Sequence, residues 1–386
     1  MRGSVGVFTG GAADWTIRFG PSGISLAAGV DQNVVDTCVH TDASTFADVV
    51  HGDVSGVEAF LDGRLRVRGD LNLSLRLTAL VQQPPVHFPI GRDVRADGVD
   101  TFYLEAGEGP PVILLHGLGA TNASLLPTIM ELAPDHRVVA PDLPGFGSSS
   151  KPIRTYNAEF FATWLSEFME RLGIERAHLI GNSMGGRIAI EMGLRHPEKV
   201  DHLCLFAPSP AFLKKREWVR LVKVLRPELA ALPLTLRKKD VIGGTKAMFA
   251  RPDRLADTWY KGAADEFLRV FSTVRGRIAF FSAARQIYLE EPHGETGFWD
   301  RLGSLEAPAL FIWGSHDRLV PAKFARHVER ALPRARSVVL DDCGHVPQYE
   351  LPEETHSLVR DFLNAPSPLP RVGAQVPNGH HAPHTG

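Results

Sequence analysis

The chain has 386 residues, 44% of them hydrophobic and 22% charged, with a formal net charge of −2. That length accommodates two domains and at least one large core, and the near-neutral balance excludes nucleic acid or an anionic membrane as a general partner. Three scattered cysteines, Cys38, Cys204 and Cys343, exclude a disulfide framework and a zinc site, and suit a reducing, cytoplasmic setting.

The first residues, Met1-Arg2-Gly3-Ser4-Val5-Gly6, lack an apolar h-region, so no secretory leader is expected. Residues 1–82 then read as a small α+β unit. Strands are expected at Val5–Thr9, Trp15–Phe19, Ile24–Ala27 and Val34–His40, separated by Gly, Pro and Asp. Thr41 or Asp42 caps a helix whose apolar face is Phe46, Val49 and Val50 and which Gly52 ends; Val57, Phe60 and Leu61 mark a shorter one. Leu65 and Val67 alternate as in a strand. The leucines at 71, 73, 75, 77 and 80 fit a strand or a helix, and we read a helix capped by Asp70.

No catalytic constellation lies in this segment, where His40 and His51 stand isolated. Its order of elements, with Phe60-Leu61-Asp62-Gly63-Arg64-Leu65-Arg66-Val67-Arg68-Gly69-Asp70, resembles the sterol-carrier-protein type-2 (SCP2) lipid-binding fold. The resemblance implies a lipid-binding unit; a purely structural role is the alternative.

Residues 83–98, with Pro84-Pro85, Pro89, Gly91 and Gly98, read as a linker without periodicity. From 99 to 366 strands and helices alternate as in an α/β fold. Strands are expected at Thr101–Glu105, Val112–His116, Arg137–Ala140, Ala177–Asn182, His202–Phe206, Ala309–Trp313 and Ser337–Leu340; several are continuous apolar runs, as in parallel strands covered on both faces. Helices are expected at Ser124–Leu132, Ala158–Leu172, Met184–Arg195, Ala322–Leu332 and Pro352–Leu363. The stretch Gly109–Met130 lacks Asp, Glu, Lys and Arg, but its prolines and glycines break it into a buried strand and a loop, so no stable membrane insertion is expected.

From about 211 to 303 the alternation stops. Amphipathic helices without a convincing strand read as a cap inserted over the sheet, the first with Trp218, Leu221, Val222 and Leu225 on one side and Arg216, Arg220 and Lys223 on the other. Residues 367–386, rich in Pro, Gly and His, read as a disordered tail.

The chemistry centres on Gly181-Asn182-Ser183-Met184-Gly185-Gly186, between an apolar strand and a helix. A serine there, with glycines two residues to either side, fits a nucleophile elbow, where the turn is too tight for side chains at the flanks. Such a serine needs a base, an orienter and an oxyanion hole. His345, after the strand Ser337–Leu340 and the turn at Gly344, fits the base. Asp317, at the end of Phe311–Trp313, fits the orienting acid; Asp341 and Asp342 are rivals that the turn should aim elsewhere. The N–H groups of Met184 and Leu118 fit the oxyanion hole, with His116 and Gly117 holding the loop and Asn182 supporting the elbow. The turn Asp142–Ser150 should wall the pocket.

His116-Gly117, Asp142–Ser148, Gly181–Gly186, Gly314–Pro321 and Gly344-His345, in that order, resemble the α/β-hydrolase superfamily. The resemblance covers about residues 98–365 and implies a mostly parallel sheet with helices on both faces and an inserted cap. Within it, capped esterases, lactonases and meta-cleavage C–C hydrolases look most similar, although Gly119-Ala120-Thr121 stands where the C–C hydrolases have Gly-Pro-Gly and Val346 where they often have tryptophan. The implied activity is hydrolysis of an ester, lactone or thioester of a small apolar or lipid-like substrate, with no cofactor and no metal. The alternatives are C–C hydrolysis of ring-fission products and non-catalytic lipid binding.

Overall fold

The computed structural model describes residues 3–10, 14–20, 23–32, 34–70, 73–74, 87–210, 222–224, 226–232 and 235–365. The expected cap helix with Trp218, most of the leucine-rich segment after Asp70 and the expected tail lie outside them.

The N-terminal unit is a five-stranded sheet of order β3-β2-β1-β4-β5, comprising β1 (Gly3–Phe8), β2 (Trp15–Gly20), β3 (Gly23–Ala28), β4 (Thr37–His40) and β5 (Arg66–Gly69). Only β1 and β4 run parallel, with Val5 opposite Thr37. Helix α1 (Ala43–His51) is capped by Asp42, whose carboxylate accepts from Thr45 N at 2.8 Å, and ends at Gly52 with φ +88°. Helix α2 (Gly56–Leu61) carries a capping box between Ser55 and Glu58. Val5, Val7, Ile17, Phe19, Val39 and Val49 form the core between the sheet and these helices. The strand expected from Val34 begins only at Thr37, and Val34 is exposed. Asp70 accepts from Leu73 N at 3.1 Å, as a cap would.

The larger sheet has eight strands in the order β13-β12-β11-β10-β8-β9-β7-β6. They are β6 (Ile90–Ala96), β7 (Val99–Ala106), β8 (Pro111–Leu115), β9 (Arg137–Pro141), β10 (Ala177–Asn182), β11 (Val200–Phe206), β12 (Ala309–Gly314) and β13 (Arg336–Leu340). Strands β8 to β13 are parallel to one another, and β6 and β7 form an antiparallel edge. Strand β6 corrects the expectation of a linker at 83–98. Its residues Gly91-Arg92-Asp93 and Arg95 carry no apolar alternation because an edge strand with solvent beside it needs none, and its ladder to β7 holds it.

Alternation along β8 explains its unbroken apolar run. Ile113 and Leu115 point into one core and Val112 and Leu114 into the other, all fully buried. The helices are α3 (Leu126–Leu132), α4 (Ala158–Arg171), α5 (Met184–Arg195), α6 (Lys238–Lys246), α7 (Asp257–Phe271), α8 (Val274–Tyr288), α9 (Phe298–Leu302), α10 (Ala325–Ala331), α11 (Pro347–Glu350) and α12 (Pro352–Leu363). In α4 the three- and four-residue spacing buries Phe161, Trp164, Leu165 and Phe168 completely, each contributing roughly 1.5–3 kcal/mol. Asn157 caps its start and Trp164 Nε1 donates to Thr101 Oγ1 at 3.2 Å.

Helices α6 to α9 lie between β11 and β12, with no strand among the described residues there. Two of the polar ties between this cap and the rest of the fold centre on buried side chains. Arg187, buried in the first turns of α5, pairs with Glu191 and, through Nε at 2.8 Å, with Glu290 just past α8. Glu350 takes N–H bonds from Ala250 at 2.7 Å and Arg251 at 3.3 Å in the cap and from Gly344 at 2.7 Å beside His345. No helix among the described residues is long and apolar enough to cross a membrane.

Candidate active site

Ser183 sits between β10 and α5 with φ +53° and ψ −112°, a backbone conformation that costs a non-glycine residue free energy and that tight packing here imposes. A Cβ on Gly181 would run into the backbone of Gly185, and one on Gly185 into Leu115 of β8. The elbow therefore requires glycine at both positions. Ser183 N donates to Phe206 O at 2.9 Å, and Ser183 O accepts from Arg187 N at 3.1 Å and Ser209 N at 2.9 Å.

His345 and Asp317 are brought together. His345 Nδ1 lies 2.7 Å from Asp317 Oδ2, and both residues are buried, at 4% and 5% exposure. The second oxygen of Asp317 accepts from Leu319 N at 2.7 Å and Val320 N at 2.9 Å, which leaves Oδ2 to the imidazole. With Nδ1–H committed to the carboxylate, Nε2 is the free acceptor that a general base needs. The rival Asp342 adopts φ +49° and aims its carboxylate at Arg254, 2.7 Å away. His316, beside the acid, bonds locally to Ser315 Oγ at 2.9 Å.

The loop after β8 lies against the elbow: a Cβ on Gly117 would stand 3.5 Å from Ser183 Cβ. His116 is wholly buried and holds this loop. Its Nδ1 meets Gly117 O at 2.8 Å and its Nε2 accepts from Leu143 N at 3.0 Å, which fixes the neutral tautomer with the proton on Nδ1. Burial also pushes its pKa down to about 4, so it stays neutral. Asp142 accepts from Asn122 N at 2.9 Å and Ser148 N at 2.7 Å, stitching the turn Asp142–Ser150 to the same loop, while burial pushes its pKa up to about 7. Met184, the first residue of α5, is among the helix-start N–H groups without an intrahelical acceptor, and Leu118 lines the cavity in front of Ser183. Asn182 Nδ2 donates to Phe206 O at 3.0 Å and His345 O at 3.1 Å, tying the elbow to the histidine loop.

Two participants escape the sequence reading. The Ser183 hydroxyl is hydrogen-bonded to Ser209 Oγ at 3.2 Å rather than to His345. Ser209 follows β11, and the carboxyl ends of parallel strands are where ligands bind, a positional signal that could have flagged it. Glu350 offers no such signal, since only folding brings Gly344 and Ala250 to one carboxylate. Among the described residues no group of His, Cys, Asp or Glu is arranged to hold a metal ion.

Ser183, His345 and Leu118 open onto a cavity of about 490 Å³. Met248, Phe249, Trp259, Phe267, Phe280 and Tyr288 of the cap region line it, and among the described residues no lysine or arginine does.

A family model described as the alpha/beta hydrolase fold matches residues 110–352, and one described as the SCP-2 sterol transfer family matches residues 7–82. The chain is 30% identical over 279 residues to 2-hydroxymuconate semialdehyde hydrolase of Pseudomonas sp. (strain CF600), covering 71% of this chain and 94% of that protein. It is 30% identical over 260 residues to pimeloyl-[acyl-carrier protein] methyl ester esterase of Aeromonas hydrophila subsp. hydrophila, covering 67% of this chain and 96% of the esterase. Among solved structures, a bacterial membrane phospholipase A superposes with a TM-score of 0.63 at 29% identity, over 76% of this chain and 93% of that one.

Proposed function

The chain belongs to the alpha/beta hydrolase fold family, and from that premise we propose that it is a serine hydrolase cleaving a carboxylic ester, lactone or thioester of an apolar substrate. The observation that carries this reading is the 2.7 Å contact from His345 Nδ1 to Asp317 Oδ2, in a cavity that Ser183 also lines. Ser183 Oγ turns from Ser209 to His345 Nε2, gives up its proton there and attacks the carbonyl carbon. The N–H groups of Leu118 and Met184 hold the oxyanion, and Asp317 holds the imidazolium. His345 then protonates the leaving group, and a water deprotonated by His345 releases the acid from the acyl-serine.

The likeness to 2-hydroxymuconate semialdehyde hydrolase favours a second reading, C–C cleavage of a ring-fission product. The lining argues against it. A carboxylate-bearing substrate entering an apolar pocket needs a cation there, and among the described residues the acidic and histidine side chains lining the cavity are Asp240, Glu266 and His345, with no lysine or arginine. A series of p-nitrophenyl esters from acetate to dodecanoate, beside a dienone ring-fission substrate, separates the two. We expect kcat/KM to rise by up to about fourfold per added methylene until the cavity is filled, from about 0.8 kcal/mol per buried methylene. Turnover of the dienone with no ester hydrolysis would reverse the order of the two readings.

A further inference from the structure

The cavity in front of Ser183 is not closed by the hydrolase fold and its cap alone. Phe60, Val67 and Gly69, from α2 and β5 of the N-terminal unit, line it together with Ser183 and His345. This unit is docked, not merely adjacent. Val57 is 4% exposed and packs in the same apolar cluster as Phe102, Leu126 and Ile129 of the hydrolase fold, with Phe60 and Leu61 against that cluster. Leu61 also packs against the cluster of Phe249, Tyr260 and Tyr349, which joins the cap to α11.

Strand β5 is the edge of its sheet and packs against α7 of the cap. A Cβ on Gly262 of α7 would stand 3.7 Å from Val67 O, an ordinary van der Waals contact, so helix and strand lie directly against each other there. Along β5 the alternation is consistent: Val67 and Gly69 are half-buried and face the cavity, while Arg66 and Arg68 are exposed. At the end of the strand Arg269 of α7 bridges Glu266, at 2.6 Å, and Asp70, at 3.8 Å. Apolar packing on one side and a charged clasp on the other thus fix the position of β5 at the cavity.

We propose that the N-terminal unit forms the distal wall of the substrate pocket, with Phe60 and Val67 receiving the far end of an extended apolar acyl chain whose carbonyl lies at Ser183. This deepens the acyl-hydrolase reading and rests on it. The class of substrate it selects is a long-chain acyl compound, whose tail reaches across from the catalytic serine to the second unit. A short acyl group ends among the cap aromatics and does not reach this wall.

The test uses the full chain and two substitutions at one position. Val67→Phe shortens the pocket and should lower the dodecanoate-to-acetate ratio of kcat/KM about tenfold, as loss of one to two buried methylenes predicts. Val67→Ala opens the same wall and should move the ester optimum to longer chains. Affinity for a pyrene-labelled fatty alcohol, read by fluorescence without turnover, should fall about tenfold in Val67→Phe by the same loss of burial. If the ester ratio, the optimum and the probe affinity all keep their wild-type values in both folded variants, the wall is not where the tail lies. If no ester is hydrolysed but probe affinity still follows residue 67, the acyl-hydrolase reading fails while the pocket assignment stands.

Discussion

Ser183→Ala should lower kcat for an apolar p-nitrophenyl ester on the order of a millionfold, with little change in KM, because removing the nucleophile of a triad costs as much as removing the whole triad. What survives is the acceleration from substrate binding and the oxyanion hole, roughly a thousandfold to ten-thousandfold over water. The substitution deletes one hydroxyl whose only hydrogen-bond partner among the described residues is Ser209 Oγ, while the strained backbone is held by the N–H and carbonyl bonds of residue 183 to Phe206, Arg187 and Ser209. Thermal unfolding should therefore stay near wild type, and activity measured on the folded variant reads the chemistry alone. Retention of a tenth or more of the wild-type kcat would remove Ser183 from the mechanism.

Asp317→Asn should be nearly as severe, with kcat reduced about ten-thousandfold, the effect expected when the carboxylate that orients a catalytic histidine becomes an amide. The amide oxygen, in the place of Oδ1, would still accept from the backbone N–H groups of Leu319 and Val320, so the loop should hold. An amide nitrogen facing His345 Nδ1, however, stabilises the tautomer whose proton sits on Nε2, and that imidazole can take no proton from serine. Asp342→Asn provides the comparison. Its carboxylate pairs with Arg254 and, at 3.7 Å, with Arg251 near the surface, where such a pair is worth about 0.2–1 kcal/mol, so turnover should stay within a few-fold of wild type. A reversal, with Asp342→Asn inactive and Asp317→Asn active, would hand the orienting role to Asp342.

The legible part of this chain is the part where local geometry and chemistry coincide. Gly181 and Gly185 are required by contacts that any elbow creates, and the apolar run Val112–Leu115 reports a strand covered on both faces. Asp317 and His345 each follow a strand end, so their meeting could be anticipated from order alone. Strand β6 could not be, because an edge strand with Arg92, Asp93 and Arg95 has no apolar period to betray it. The position of residues 60–69 was equally hidden. Val67 alternates as any strand residue does, and only the packing of α2 against the hydrolase core turns it toward the cavity. Ser209 and Glu350 act through partners 26 and about 100 residues away in sequence, a distance that no local pattern spans.

Labelling with a fluorophosphonate followed by mass spectrometry of the digested protein tests the nucleophile most directly. One phosphonyl group should appear per chain, on the peptide containing Ser183, and none should appear in Ser183→Ala. A label on Ser209, which shares a hydrogen bond with Ser183 at 3.2 Å, or no label on a folded protein that still hydrolyses esters, would contradict the assignment.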